Sequence, residues 1–169
     1  MIKVRQSLMS GLMIMTLIGF YGCAGKCVVK SEKGNLKPRI AVADFDALAP
    51  FPRSEATVIS NFVRTDIVTA GRFNVVDKNS MDKVLAEQGF QQTETSSAES
   101  AIRLGKILNV KMIINGSCSQ LLGRYVITMN VVNVESAKIV YSDDISVASP
   151  DELRDAVREM VEKFSRTIR

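Results

Sequence analysis

Histidine and tryptophan are both missing from this chain of 169 residues. Without an imidazole there is no Ser-His-Asp device, and most zinc and non-haem iron sites lose their usual ligand. Glycines are scattered: Gly116 and Gly123 stand alone and form no phosphate-cradling loop. The three cysteines have no metal spacing with neighbouring acids. No basic run with interleaved aromatics is present, and the net charge of +4 falls by two if Lys3 and Arg5 leave with an N-terminal leader, so nucleic acid is excluded as a partner. Nor is there a membrane-length apolar run. The longest, Leu8 to Tyr21, has about 14 residues where a spanning helix needs about 20. These absences leave no expected catalytic, cofactor or metal residue. What is present is a chain 46% hydrophobic and 24% charged, enough for one ordinary domain with a core.

The most specific signal is N-terminal. Lys3 and Arg5 precede the short apolar run, which reads as a secretory signal peptide. Phe20-Tyr21-Gly22-Cys23 places a small residue directly before a cysteine at the end of that run and resembles a bacterial lipobox, with Phe20 departing from the usual leucine. The resemblance implies that residues 1–22 are a lipoprotein leader and that Cys23 is acylated, palmitate included, to become the mature N-terminus. An ordinary signal peptide cut nearby is the plainer alternative. Ala24, a non-aspartate, implies the outer membrane. Residues 23–37 then form a lipidated tether rich in Lys, Gly, Ser and Asn. Its 14 residues after the cysteine reach about 46 Å fully stretched and about 20 Å as a coil. A disulfide between Cys27 and Cys118 is open in an oxidising compartment, but Cys118 reads better as a small core residue.

Residues 38–169 are expected to form the working domain. Arg39 to Phe45 is an apolar strand, and Asp46 to Arg53, with Pro50 and Pro52, a loop. Ser54 caps a helix carrying Ile59, Phe62, Val63, Ile67 and Ala70 on one face, and Gly71 ends it. Phe73 to Asp77 is a second strand, and Asn79 caps a second helix. Gln91 to Thr95 is an exposed loop. Ser96 and Glu99 make a capping-box spacing for a helix from Ala98 to Leu108. Gly105 within it suggests close packing on a strand. Lys111 to Asp143 is a three-stranded meander: Gly123 marks one reversal, Glu135 to Lys138 the next, and the alternation slips at Val131-Val132, as at a bulge. Ser149-Pro150-Asp151-Glu152 opens a last helix whose stripe of Leu153, Val157, Met160, Val161, Phe164 and Ile168 belongs to the core. The order β-α-β-α-α-β-β-β-α makes an α/β fold with a mixed sheet.

Asp44 and Asp46, two apart at a strand end, have the arrangement by which aspartate-based phosphotransferases hold magnesium and present a nucleophile. Asp143-Asp144 could complete such a site. Against this, Leu48 stands where those enzymes carry threonine or valine, no positioned lysine is evident, and acids commonly end strands and begin turns. The residues therefore favour a binding or assembly module over an enzyme. Asn115, Gln91, Gln92 and the Pro50–Arg53 loop are candidates for exposed contact residues.

Several motifs co-occur in a familiar order: Ile40 to Phe45, Val63 to Val68, Gly71 to Asp77, Met81 to Gln88, Leu104 to Leu108, Ile113 to Ser117 and Val131 to Val134. Together they resemble the CsgG-like family of curli production assembly/transport lipoproteins, over roughly residues 38–168. The resemblance implies an anticodon-binding-domain-like fold on the periplasmic face of the outer membrane, and a role in secretion or surface assembly. It implies other envelope proteins as partners, with a ring of its own copies left open. The two pore-forming hairpins of that family are missing, the first reduced to Gln120 to Arg124 and the second to Tyr141 to Pro150. A related periplasmic fold occurs in lipoproteins that activate peptidoglycan synthases (penicillin-binding proteins), and this is the alternative reading. The short tether weighs against it.

Overall fold

A computed structural model describes residues 37–87, 89 and 97–168. Its sheet is built on β4, Met112–Leu121. On one side β4 pairs in parallel with β1, Arg39–Val42, and with β2, Asp46–Ala47. On the other it pairs antiparallel with β5, Arg124–Asn133, followed by β6, Lys138–Val147. The short β3, Asn74–Val75, lies parallel to β1 at the far edge. The sheet order is thus β3-β1-β4-β5-β6, with β2 beside β4. Parallel strands need helical crossovers and antiparallel neighbours need only tight turns, which is why helices fall early in the chain and hairpins late.

The mixed sheet is as expected from the sequence, but β2 was read as loop. Between the pairs Val42↔Ile114 and Asp46↔Ser117 the β1–β2 segment has one more residue than β4. That extra residue makes a bulge. The Phe45 amide leaves the ladder there and donates instead to Ser60 Oγ at 2.8 Å. Two residues next to a proline-rich stretch carry no periodicity; only the edge of β4 makes them a strand. The expected slip on β5 is real, a register shift between Val131 and Val132 against β6.

Helices cover the two faces unequally. Helix α1, Arg53–Ala70, and α4, Pro150–Thr167, pack on one face. There Ile59, Val63, Ile67, Val157, Met160 and Phe164 meet Ile40, Val42, Ile114, Ile127, Met129 and Val131. Each such fully buried side chain contributes roughly 1.5–3 kcal/mol. Phe164 stacks on Phe73 with ring centroids 5.2 Å apart, and the α4 stripe is core as its spacing predicts. Between α1 and α4, Arg154 grips buried Asp66 with both guanidinium nitrogens, one at 2.7 Å, and lies 4.9 Å from the centre of the Phe62 ring. On the opposite face α2, Lys78–Glu87, and α3, Ala98–Ile107, bring Met81, Leu85, Ala101 and Leu104 against Ala41, Ala43, Ile113, Val132 and Val134.

Three helix starts differ from expectation. Helix α1 begins after Pro52, without a side-chain cap, so Ser54 lies inside it. Asp77, not Asn79, caps α2, its Oδ2 accepting from the Ser80 amide at 2.9 Å. That bond is the main reason its carboxyl titrates below the usual range. Ser97 caps α3 through the Ser100 amide at 3.1 Å, while Ser96 lies outside the described residues. Gly71 ends α1 in the left-handed conformation and Ser149 caps α4 with Pro150 following, both as read from sequence.

Candidate functional site

The part of the sheet that α2 and α3 leave uncovered carries ordered rows of polar side chains. Residues paired across strands point to the same face. The register therefore lines up Asp46, Ser117, Thr128 and Asp144 in one row, and Asn115, Asn130 and Ser142 in the next. Ser142 Oγ donates to Asn130 Oδ1 at 2.7 Å, tying neighbouring strands. One row further on, Ser119, Val126 and Ser146 align, and Arg124 binds Ser146 through its hydroxyl and carbonyl oxygens, both at 2.8 Å. Asn115 is buried; Ser142, Asp144 and Ser146 are exposed. This surface of hydroxyls, amides and one acid at either end can exchange hydrogen bonds with a partner.

Beyond the last row stands the β4–β5 hairpin tip. Leu121 is 63% exposed and Leu122 94%. Leu122 and Gly123 both have positive φ, +50° and +76°, the two-residue turn geometry for which Asn-Gly is the preferred sequence. A leucine there is doubly unfavourable, through its backbone conformation and through its exposed side chain. Leu48 is also exposed and continues the β2 edge toward the tip, its amide donating to the Cys118 carbonyl at 2.8 Å. Sequence reading found the turn from Gly123 but passed over Leu121 and Leu122. The available signal was an apolar pair in a turn.

The other candidate residues fall elsewhere. Asp44 is held by Lys78 at 2.7 Å, with Arg64 at 3.6 Å, and Lys78 also meets Asp82 at 3.5 Å. A positioned lysine therefore does exist, contrary to the sequence reading, and it joins β1 to α2 as part of an ion-pair cluster. Asp143 and Asp144 lie on β6, three strand spacings or roughly 14 Å from Asp46, so the four acids do not converge. Among the described residues no group of three metal-ligating side chains forms. Asp143 instead accepts from the Tyr141 hydroxyl at 3.1 Å; burial, then this bond, pushes that phenol up to about 12. Cys118 is fully buried, and burial followed by the charge of Asp46 pushes its thiol up to about 12, a core residue as expected. Asn115 is not the exposed contact residue expected: it is buried at the β4 end of its row, while Ser142 at the β6 end is exposed. In the Pro50–Arg53 loop Phe51 turns inward. Cys23, Cys27, Gln91 and Gln92 lie outside the described residues. No described helix is long and apolar enough to cross a membrane.

This architecture is similar to that of known proteins. The LpoB C-terminal domain from Salmonella enterica superposes with a TM-score of 0.54 at 14% identity, over 71% of this chain and 89% of that one. The Escherichia coli LpoB C-terminal domain gives 0.54 at 14%, over 72% and 90%. Lipoprotein GNA1162 from Neisseria meningitidis gives 0.52 at 12%, over 76% and 99%. At these identities the likeness is one of fold. No curated protein matches the sequence. The family model for the peptidoglycan-synthase activator LpoB matches residues 55–147, more than half of the chain. The expected CsgG-like membership is overturned by that match, and the curli-assembly and secretion role falls with it. The motifs that carried it lie in β1, α1, β3, α2, α3, β4 and β5, so they spell out a framework of strands and helices and not a partner. This chain belongs to the LpoB family of peptidoglycan-synthase activators.

Proposed function

We propose that this protein is a non-enzymatic activator that docks on the periplasmic part of a peptidoglycan synthase, a penicillin-binding protein. In this reading residues 1–22 are a leader, Cys23 is the acylated residue, residues 23–37 tether the chain to the periplasmic face of the outer membrane, and residues 38–169 do the binding. The observation that carries it beyond family membership is Leu122, an apolar side chain 94% exposed on a left-handed backbone position. A residue held against both solvation and backbone preference supports a contact role for the hairpin tip. The adjoining polar rows would form the rim, with hydrogen bonds around an apolar anchor. A tether reaching about 46 Å and a domain whose β4 strand is roughly 30 Å long together limit how far from the outer membrane the hairpin tip can meet the synthase.

The direct test adds the purified protein to its cognate synthase and follows glycan-strand polymerisation. Stimulation and direct binding, both lost on Leu121→Ser/Leu122→Asn, are expected. A synthase neither bound nor accelerated by the wild-type chain would end the proposal. An uncleaved precursor that accumulates only under globomycin in wild type, and with or without globomycin in Cys23→Ala, tests the lipid separately.

A further inference from the structure

At the end of the sheet away from the hairpin tip, basic side chains gather. The Lys111 amide donates to the Arg39 carbonyl at 2.9 Å and the Val134 amide to the Lys111 carbonyl at 3.0 Å, so Arg39, Lys111 and Val134 form the terminal row. Above it, the C-terminal end of α3 contributes Lys106 and Asn109. Together they line an open groove of about 690 Å³ in which Glu135 is the acid. Lys138 begins β6 one row inward, opposite Asn133. Arg39, Lys106, Lys111 and Lys138 are exposed, and none pairs with an acid among the described residues.

Two further observations say what such an end would face. The described residues carry as many acidic as basic side chains, so this accumulation is segregation and not an overall excess. Asp151 and Glu152, in the first turn of α4 after β6, belong to the opposite end, where Arg53 and Arg124 also lie, and Asp44 is paired with Lys78 and Arg64. The chain also joins the domain here: Lys37 and Pro38 lead into β1, and the preceding stretch carries Lys26, Lys30 and Lys33 against Glu32. If Cys23 is acylated, as proposed above, the covalent path from the bilayer arrives at this basic end.

We propose that the end of the domain formed by Arg39, Lys106, Lys111 and Lys138 rests on the anionic phospholipid headgroups of the membrane that anchors the chain. Mobile lipid phosphates fill the open groove better than one shaped ligand, because its cations are spread along a rim and not converged on a point. Such contact fixes orientation. The β4 strand is roughly 30 Å long, so the hairpin tip would point away from the bilayer toward a partner.

The test uses the mature chain, residues 23–169, with Cys23→Ser, so that no acyl group contributes, and follows its flotation with vesicles. Binding is expected to vesicles containing 30% phosphatidylglycerol and not to pure phosphatidylcholine, and to fall steeply between 50 and 500 mM salt. Each surface cation contributes about fivefold, so Lys106→Glu/Lys111→Glu should bind at least about twentyfold more weakly. Arg53→Glu, at the far end, should bind as wild type. Both lysines are exposed, so folding should persist, and circular dichroism checks it; a variant that misfolds leaves the wild-type lipid and salt dependence as the deciding measurement. Equal flotation of the double variant and wild type, or binding to neutral vesicles, overturns the proposal. So does loss of binding in 5 mM inorganic phosphate at constant ionic strength, which would mark a small-anion site, or association with purified cell-wall glycan in place of vesicles. Synthase stimulation in vesicle-free solution should be unaffected by Lys106→Glu/Lys111→Glu, so failure here and failure of the activator reading are separable.

Discussion

Gly105 in α3 lies so close to Val134 after β5 that a Cβ at position 105 would stand 2.2 Å from Val134 Cγ2. Glycine inside a helix costs about 1 kcal/mol against alanine, and here its absent side chain lets the helix sit on the sheet. Gly105→Ala should therefore destabilise despite its better propensity, by about 1–2 kcal/mol net, because overpacking costs about 1–3 kcal/mol. Val134→Ala should restore much of the loss in the double variant, with a coupling of about 1 kcal/mol or more. Urea midpoints of the four proteins in the cycle measure it. An additive cycle would show that the contact is not the reason for glycine.

The Asp66–Arg154 pair is the polar link between α1 and α4. Asp66 is buried, and removing its partner leaves a carboxylate without compensation. Arg154 is partly exposed, so water softens the loss, and Arg154→Ala should cost about 2–3 kcal/mol. Arg154→Lys should recover less than half, since an ammonium can neither span both oxygens nor stack on Phe62. Thermal unfolding in low and high salt checks this, and a change below 0.5 kcal/mol would place the pair among ornamental surface bridges.

Cys118 should shape the alkaline limb of stability. The folded thiol keeps its proton to about pH 12 against a reference of 9.0, so between those values the unfolded chain binds fewer protons than the folded one. Stability from this group is fully present below pH 9 and is lost as pH rises toward 12. Three units correspond to about 4 kcal/mol. Cys118→Ala should flatten that fall at a cost near 1 kcal/mol at neutral pH. A residual slope from pH 10 upward should remain from Tyr141, whose phenol is also pushed up to about 12. Denaturant midpoints from pH 7 to 11 test the difference, and the native thiol should resist aromatic disulfide reagents.

What the sequence disclosed tracks how local each cause is. The Ser149-Pro150 helix start, the Gly71 cap, the α4 stripe and the β5 slip are written in adjacent or periodic residues. The cap at Asp77 was missed by two positions because several polar residues compete within Asp77 to Ser80 and packing selects among them. β2 could not be read, since two residues become a strand only beside β4. The Asp44–Lys78 contact joins residues 34 apart, and no spacing rule announces it. The polar rows on the open face depend on a three-strand register. That register also buries Asn115, which by composition alone belongs at the surface.

The hairpin tip allows stability and function to be read against each other. Leu122→Asn places Asn-Gly in a turn whose two residues both have positive φ, the preferred sequence for that geometry. It relieves the backbone cost and removes an apolar side chain that is 94% exposed. The variant should therefore be more stable than wild type by about 0.5–1 kcal/mol. If the leucine is retained as an anchor for the synthase, the same change should weaken binding by about tenfold, the cost of losing one desolvated apolar contact. Paired measurements decide it: a urea midpoint that rises while synthase affinity falls identifies Leu122 as a contact residue kept at the expense of the fold. A midpoint that rises with affinity unchanged moves the docking surface off the tip, leaving the rows of Ser117, Thr128 and Asn130 as the place to substitute next.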